Sequence, residues 1–434
     1  MKRQVNSFVM PMAHSIGPEA GEASIPEGQN GQGRRAGRLK ILSLSIEYPN
    51  PVRPGFGLFV RSRLQHLGQV ADVKVVAPVA LLDYSDPHRK WLRPGSIPVW
   101  RLDDHVEVVH PRWVYPPGGT PMNVACLYWA MLPHLKRLKT EFDFQILDAH
   151  FGYPDGVAAA LAARALNVPF LVTLRGNEPM FAESALRHRC LRWSLSRAAR
   201  VIAVSEELKQ FALRMGVAPK KARTIGNGVD AAIFYLRDRA AIRAQHGIPP
   251  DAKMILCAGA LIEAKGHHHV IRALRQLQAE GSDLQLFIAG GATSGGPKFD
   301  HVLRNLAAEL GLGSRVRLLG WVAPPRLAEF LSAADVFCLA SDSEGWPNVI
   351  HEALACGAPV VSTRVGAVAE MIPSEQFGFT VEVGDQPALV TALRRALEKP
   401  WDRQSIAAWG QARSWKRVAE EVLQEMRGIL QCAE

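Results

Sequence analysis

Ser341-Asp342-Ser343-Glu344-Gly345-Trp346-Pro347-Asn348-Val349-Ile350-His351-Glu352-Ala353-Leu354-Ala355-Cys356-Gly357 reads as a strand end, a Gly/Pro turn and a short helix. Pro347 falls near the first helical turn, where its missing N–H is harmless, and Gly357 closes the helix. Glu344 precedes the helix and Glu352 sits about a turn inside it. Asn348 and Glu352, four apart, share one face. A loop that feeds a helix N-terminus at the carboxyl end of a parallel strand offers free N–H groups and a positive dipole end, which is where anions bind. Two carboxylates bracketing such a place suit the hydroxyls of a sugar or a ribose. The plainer alternative is that they cap or solvate the helix.

The same strand-loop-helix rhythm extends in both directions. Apolar runs stand at residues 40–46, 73–77, 144–150, 170–175 and 201–205, and again at 254–258, 284–290, 316–319, 336–341, 359–363 and 379–383. Most show little alternation, as expected of parallel strands buried on both faces. Between them lie helical faces such as Val270, Leu274 and Leu277, or Val302, Leu303, Leu306 and Leu310, which are core positions with no function attached. Strand-helix alternation predicts an α/β protein, and this many strands exceed one doubly wound sheet, so two Rossmann-like domains are expected. The seam falls near Ile225-Gly226-Asn227-Gly228-Val229-Asp230, giving a leader over 1–37, domains over 38–228 and 229–411, and a terminal helix over 412–434 that includes Trp415.

The chain has 434 residues, 48% hydrophobic and 21% charged, enough for two or three full-sized cores. Its six cysteines have no C-x-x-C spacing, against zinc ribbons, dithiol redox chemistry and a secreted disulfide framework. The leader lacks a sustained apolar stretch and no run approaches the roughly 20 residues of a membrane helix, so a cytoplasmic protein with a disordered leader is expected. Of the net charge of +10, residues 1–228 carry +12 and the rest −2. A basic front half suits nucleic acid, anionic lipid headgroups or a phosphorylated substrate, or serves solubility alone. No zinc-finger spacing, RNP motif or arginine repeat supports nucleic acid. Basic aromatic stretches at 88–93, at Pro111-Arg112-Trp113 and over 186–200 suit peripheral contact with an anionic membrane at its inner face, or are ordinary solvated helices and core.

The pattern E-G-x-P-N-x-x-x-E-A-x-A-x-G-x-P-V-V, beginning at Glu344, resembles the signature of family 4 glycosyltransferases of the GT-B fold. The resemblance runs from about Arg38 onward and includes Pro54-Gly55-Phe56-Gly57, Asp148-Ala149-His150, Asn227-Gly228-Val229-Asp230, Lys265-Gly266 and Ala334-Asp335-Val336. It implies two domains facing across a cleft, the front one for the acceptor and the back one for a nucleoside-diphosphate sugar, with the terminal helix crossing back to the first domain. It further implies a retaining, metal-independent enzyme of cell-surface polysaccharide or lipid-glycan synthesis, with no cofactor beyond the nucleotide-sugar donor. The chain contains no D-x-D, in agreement with the metal-free part.

The resemblance maps ribose binding onto Glu352 and donor-sugar contact onto Glu344. Lys265 is the cation for the leaving diphosphate, where charge develops during bond cleavage. Many relatives pair that lysine with an arginine at the position of Ala260, so one cation is missing here. Arg175, where relatives often place a histidine, is a candidate replacement. His150 ends an apolar strand and is expected to face the cleft near the donor; the alternative is a buried, satisfied histidine. Glu344, Lys265 and His150 are thus the catalytic candidates, and Glu352, Gly57, Arg175, Gly345 and Asn348 the substrate-binding ones. The Gly57 loop lacks the third glycine of a G-x-G-x-x-G, against NAD, and is expected near the donor phosphates and acceptor. Gly290-Gly291, with Gly295-Gly296-Pro297, is a second cluster for the nucleotide side or simply a tight turn. His267-His268-His269 cannot converge on one ion from a helix and reads as surface and interface. A nucleotide-sugar epimerase, a DNA-modifying glycosyltransferase and a non-catalytic sugar-nucleotide sensor remain alternatives.

Overall fold

The computed structural model describes residues 37–81, 95–115, 121–279, 281, 283–291 and 299–431. The leader up to residue 36, the basic stretch at 88–93, Gly295-Gly296-Pro297 and Cys432 lie outside the described residues. Among the described residues, ten strands come before the seam: β1 (Lys40–Leu44), β2 (Asp72–Val76), β3 (Val79–Ala80), β4 (Trp100–Asp103), β5 (Val106–Val109), β6 (Arg112–Trp113), β7 (Ile146–His150), β8 (Phe170–Leu174), β9 (Arg200–Ala203) and β10 (Ala222–Thr224). Six follow it: β11 (Lys253–Ala258), β12 (Leu284–Ala289), β13 (Val316–Gly320), β14 (Val336–Leu339), β15 (Val360–Thr363) and β16 (Gly378–Val381). Every apolar run quoted above is one of these strands.

The first sheet has the order β10-β9-β8-β7-β1-β2-β5-β4, parallel except for β4, which pairs antiparallel with β5; β3 and β6 form a separate parallel pair. The second sheet is all parallel in the order β13-β12-β11-β14-β15-β16. Each is a doubly wound Rossmann-like sheet whose strand order reverses at one point, between β1 and β7 in the first and between β11 and β14 in the second. Crevices at the carboxyl ends of strands beside such reversals are where these sheets bind ligands. Central strands are buried throughout, β7 and β8 at every residue, because helices cover both faces.

The β4–β5 hairpin escaped the reading of apolar runs because it is short and alternating, and Asp104 takes the left-handed turn position. Asp103 there is fixed by Arg61 Nε at 2.9 Å and by the Tyr48 hydroxyl at 2.8 Å. The side-chain expectations also need correction in places. Val302 is 47% exposed rather than core, since the helix Phe299–Glu309 turns only Leu303 and Ala307 fully inward. Trp113 is buried, so Pro111-Arg112-Trp113 is not a surface stretch. In the helix Ala185–Arg197, Leu191 and Leu195 join the core while Leu186, Arg189, Arg192 and Arg197 face outward. His267 is buried with its Nε2 3.3 Å from Ala260 O, and is not a surface residue.

The chain crosses between the sheets twice, side by side. Val229 N donates to Arg413 O at 3.0 Å, and Trp415 N donates to Val229 O at 3.3 Å. A side chain at Gly228 would lie 2.5 Å from Trp415 N, so only glycine lets the two crossings touch. Beyond the return crossing, the helix Trp415–Gln431 buries Trp415, Val418, Val422, Met426 and Ile429 along one stripe. That stripe packs on the helix Leu58–Val70 through Val60, Leu64 and Leu67, so the last helix completes the core of the first domain.

Candidate active site

A cavity of about 1150 Å³ opens between the carboxyl ends of the two sheets. The second-domain wall is built from three loops. Glycine permits the first two to pack closely: a Cβ on Gly266 would lie 1.8 Å from Ala340 O, and one on Gly290 1.9 Å from Gly259 O. Gly266 therefore presses the loop carrying Lys265 onto the end of β14, where Asp342 N donates to Ala264 O at 2.9 Å. The third loop carries Glu344. Lys265 Nζ donates to Glu344 Oε1 at 2.5 Å, and Ser341 Oγ donates to the same oxygen at 2.8 Å. Lysine and glutamate thus meet at the cavity wall although 79 residues separate them.

The helix Asn348–Ala355 presents its first turn to the cavity through Pro347, Asn348 and Val349, and Glu352 follows one turn later. Among the described residues the Glu352 carboxylate has no hydrogen-bond or ion-pair partner, and burial pushes it up to about 7. A carboxylate held so is poorly solvated until a ligand supplies donors. Ala260, Gly290, Gly291 and Trp321 complete this side.

The first-domain wall is formed by Glu47, Arg53, Phe56, Phe59, Arg175 and Asn177. Arg175 is nearly fully buried; Nη2 donates to His150 Nδ1 at 2.7 Å and Nη1 to Asn227 Oδ1 at 3.0 Å. Its Nε has no hydrogen-bond partner among the described residues, and the guanidinium lies over the Phe59 ring, 5.0 Å from its centroid. Burial, reinforced by repulsion from Arg63, lowers Arg175 to about 9, with Asp148 opposing. Asn227 in turn donates from Nδ2 to Asn348 Oδ1 at 3.0 Å, carrying the connection across to the second domain.

His150 does not face the cleft. It is fully buried, with Nε2 3.0 Å from Ser43 Oγ and 3.2 Å from Asp148 Oδ2. Burial takes the imidazole down to about 3 against the pull of Asp148, so it is neutral, and Nδ1 must accept because Arg175 can only donate. Burial alone would raise the Asp148 carboxyl, but Arg63, whose Nη2 lies 3.0 Å from Oδ1, holds it well below the usual range. The expected cleft histidine is a buried link in a polar chain running Arg63, Asp148, His150, Arg175, Asn227 and Asn348.

Gly57 likewise does not line the cavity. It takes φ +70° at the start of the helix Leu58–Val70, and a Cβ there would come within 2.3 Å of Glu47 O. It allows the turn, while its neighbours Gly55 and Phe56 reach the cavity. Gly345 does line it and packs on the other domain: a Cβ would sit 2.1 Å from Arg175 O. Of the residues singled out from sequence, the structure brings together Lys265, Glu344, Gly345, Asn348, Glu352 and Arg175, and leaves out His150 and Gly57. Sequence reasoning missed Glu47 and Trp321. Both follow the carboxyl end of a strand, the rule that had been applied to His150.

The model for "Glycosyltransferase Family 4" matches residues 71–233, and that for "Glycosyl transferases group 1" matches residues 238–413. A D-inositol 3-phosphate glycosyltransferase of Catenulispora acidiphila is 31% identical over 332 residues, 70% of this chain and 75% of that protein. The chain belongs to the family 4 glycosyltransferases. A glycosyltransferase of Bacillus subtilis provisionally assigned to teichuronic acid biosynthesis is 27% identical over 82% of this chain and 89% of its own length. Among solved structures, sucrose-phosphate synthase from Thermosynechococcus elongatus superposes with a TM-score of 0.74 at 21% identity, over 91% of this chain and 100% of that one. Anabaena HepE in complex with UDP and glucose gives 0.68 at 22% identity, over 90% and 100%. These superpositions show the GT-B fold for this glycosyltransferase. Its membership makes it an enzyme, and nothing favours the epimerase or the non-catalytic sensor. Among the described residues of this glycosyltransferase no helix is long and apolar enough to cross a membrane.

Proposed function

We propose that this glycosyltransferase moves a sugar from a nucleoside-diphosphate sugar to a hydroxyl of a glycan or lipid-linked acceptor, with retention of anomeric configuration, in polysaccharide or lipid-glycan synthesis. The observation that carries the reading is the convergence of Lys265, Glu344, Glu352 and a helix N-terminal turn on one cavity between two strand-order reversals. UDP and glucose in the complex of the Anabaena protein and the provisional teichuronic acid assignment of the Bacillus relative support the substrate class.

Each group has a role that its chemistry allows. Glu352 accepts from the ribose hydroxyls. The diphosphate competes with Glu344 for the Lys265 ammonium, and Glu344 is then free to accept from donor-sugar hydroxyls. As the bond from the anomeric carbon to phosphate oxygen breaks, charge gathers on the leaving diphosphate, where Lys265 and the helix N–H groups stabilise it. The departing phosphate takes the proton from the acceptor hydroxyl as that oxygen bonds to the same face of the sugar. No metal or cofactor enters this scheme. Arg175 supports the site as a fixed positive charge, with one N–H of each Nη atom committed, to His150 and to Asn227. Domain closure excludes water from the donor. The outward Arg189, Arg192 and Arg197 favour an anionic surface as the place where a lipid-linked acceptor is met.

The test is a thermal-shift screen against UDP, GDP, ADP, CMP, dTDP and NAD, with Glu352→Ala and Lys265→Ala alongside. A ligand bound only by the native state raises the Tm. One nucleoside diphosphate stabilising the wild type, with both variants weakening the shift, supports the reading. Stabilisation by NAD alone, or by nothing, sinks it.

A further inference from the structure

Facing the donor wall across the cavity is a carboxylate outside the family signature, that of Glu47. It stands just beyond the carboxyl end of β1, beside the strand-order reversal of the first sheet. Its backbone is held from several sides. Glu47 N donates to Ser45 Oγ at 3.1 Å, and Ser45 Oγ donates back to Glu47 O at 3.0 Å. The preceding Ile46 N donates to Asp155 Oδ1 at 2.7 Å, and the following Tyr48 is fully buried with its hydroxyl on Asp103. Gly57 lets the next turn close against Glu47 O, where any side chain would collide.

The side chain is the opposite case. Its carboxylate lines the cavity and has neither a hydrogen bond nor an ion pair among the described residues. Burial raises it to about 7, Arg175 acting against the shift and Glu178 with it. A fixed backbone carrying an unpartnered carboxylate into a half-dry cavity fits a ligand that brings hydrogen-bond donors. Phe56 and Phe59 line the same wall, and flat apolar rings beside a carboxylate suit a pyranose, which shows C–H bonds on its face and hydroxyls at its edge.

We propose that Glu47 binds the acceptor, accepting a hydrogen bond from a hydroxyl of an acceptor pyranoside and so fixing which acceptors enter the cavity. This rests on the reading of the cavity as a donor and acceptor site.

The experiment pairs two measurements on the wild type, Glu47→Ala and Glu47→Gln. The first is the Tm shift given by UDP, GDP and ADP. The second is the KM for octyl glucoside, octyl galactoside and octyl N-acetylglucosaminide as acceptors, using nucleotide sugars of the nucleotide that stabilises. Removing a hydrogen bond to a charged group costs a factor of about 10 to 100, so Glu47→Ala raises the acceptor KM at least about tenfold while the nucleotide shift stays that of the wild type. The near-isosteric Glu47→Gln, whose amide oxygen still accepts, recovers part of that loss. An unchanged acceptor KM overturns the proposal, as does a nucleotide shift weakened as much as in Lys265→Ala. A wild type that binds nucleotide yet glycosylates none of the three pyranosides also overturns it. A wild type that no nucleotide stabilises defeats the functional reading itself, a result distinct from the others.

Discussion

Arg175 donates a hydrogen bond to His150 Nδ1 at 2.7 Å, and this fixes both residues. The imidazole, with Asp148 and Ser43 on its other nitrogen, has no face left for substrate, while the guanidinium is held at the cavity wall. His150 is therefore a positioning residue. His150→Ala leaves Arg175 Nη2 and Asp148 short of a partner inside the first domain, and chemical denaturation shows a loss of about 2–4 kcal/mol. Unchanged stability together with unchanged turnover counts against this role.

Burial sets the titration of His150, with Asp148 opposing the shift and Arg175 adding to it. Its folded pKa, about 3, lies below the ordinary 6.5. A histidine lowered in this way contributes stability lost as pH falls from the ordinary value toward the folded one. Nitrogen NMR shows a neutral ring protonated on Nε2 from pH 8 down to pH 5; a ring that protonates near pH 6.5 refutes the arrangement.

Lys265 and Glu344 form a partly exposed pair with side chains 25% and 11% exposed, so their pairing adds little to stability. Lys265→Ala costs under about 1 kcal/mol in unfolding but slows transfer roughly 100- to 1000-fold, the usual effect of removing a group that meets developing charge. In the proposed scheme Lys265 carries that task, so a chelator such as EDTA leaves the initial rate unchanged; a rate restored only by added divalent cation contradicts the scheme.

Glu352 is a carboxylate whose folded pKa, about 7, exceeds its ordinary value of 4.5. A raised carboxyl favours the folded state when protonated. Its contribution is fully present below pH 4.5 and is lost as pH climbs through 7. Glu352→Gln accordingly stabilises the unliganded protein at pH 8 by on the order of 2 kcal/mol, gives no gain at pH 4, and weakens nucleotide-induced stabilisation less than Glu352→Ala does. Melting curves at the two pH values decide it.

Gly345 and Gly176 bring the two domains into backbone contact, and a Cβ on Gly345 would sit 2.8 Å from Gly176 Cα. Gly345→Ala keeps each sheet intact but pushes the domains apart. Small-angle scattering shows a larger radius of gyration, and transfer falls by more than about tenfold because the two walls no longer align. An unchanged radius with full activity excludes a closing role for this contact.

Much of this was legible along the chain. The apolar runs give the strands because burial on both faces demands unbroken hydrophobic stretches, and the turn chemistry of Gly345, Pro347 and Gly357 marks the loop and helix that carry Glu344 and Glu352. The short β4–β5 hairpin and the burial of Trp113 and His267 were not legible, since each depends on what another part of the chain lays against it. Ala260 showed that a cation was absent. Only the structure showed that Arg175, the candidate replacement, is buried and hydrogen-bonded through each Nη atom to His150 and Asn227.

The sequence by itself determined the strands of the two doubly wound sheets and the loop and helix that carry Glu344 and Glu352, because period, turn residues and spacing act within a few residues. The tertiary structure decided which side chains meet. Lys265 finds Glu344 across 79 residues, and Arg63 finds Asp148 across 85. Whether His150 faced substrate or served Arg175, and whether Glu47 was a loop residue or a cavity carboxylate, turned on such long-range contacts. Local pattern sets where a residue stands on its element, but burial and the partner supplied from elsewhere set its charge and its task.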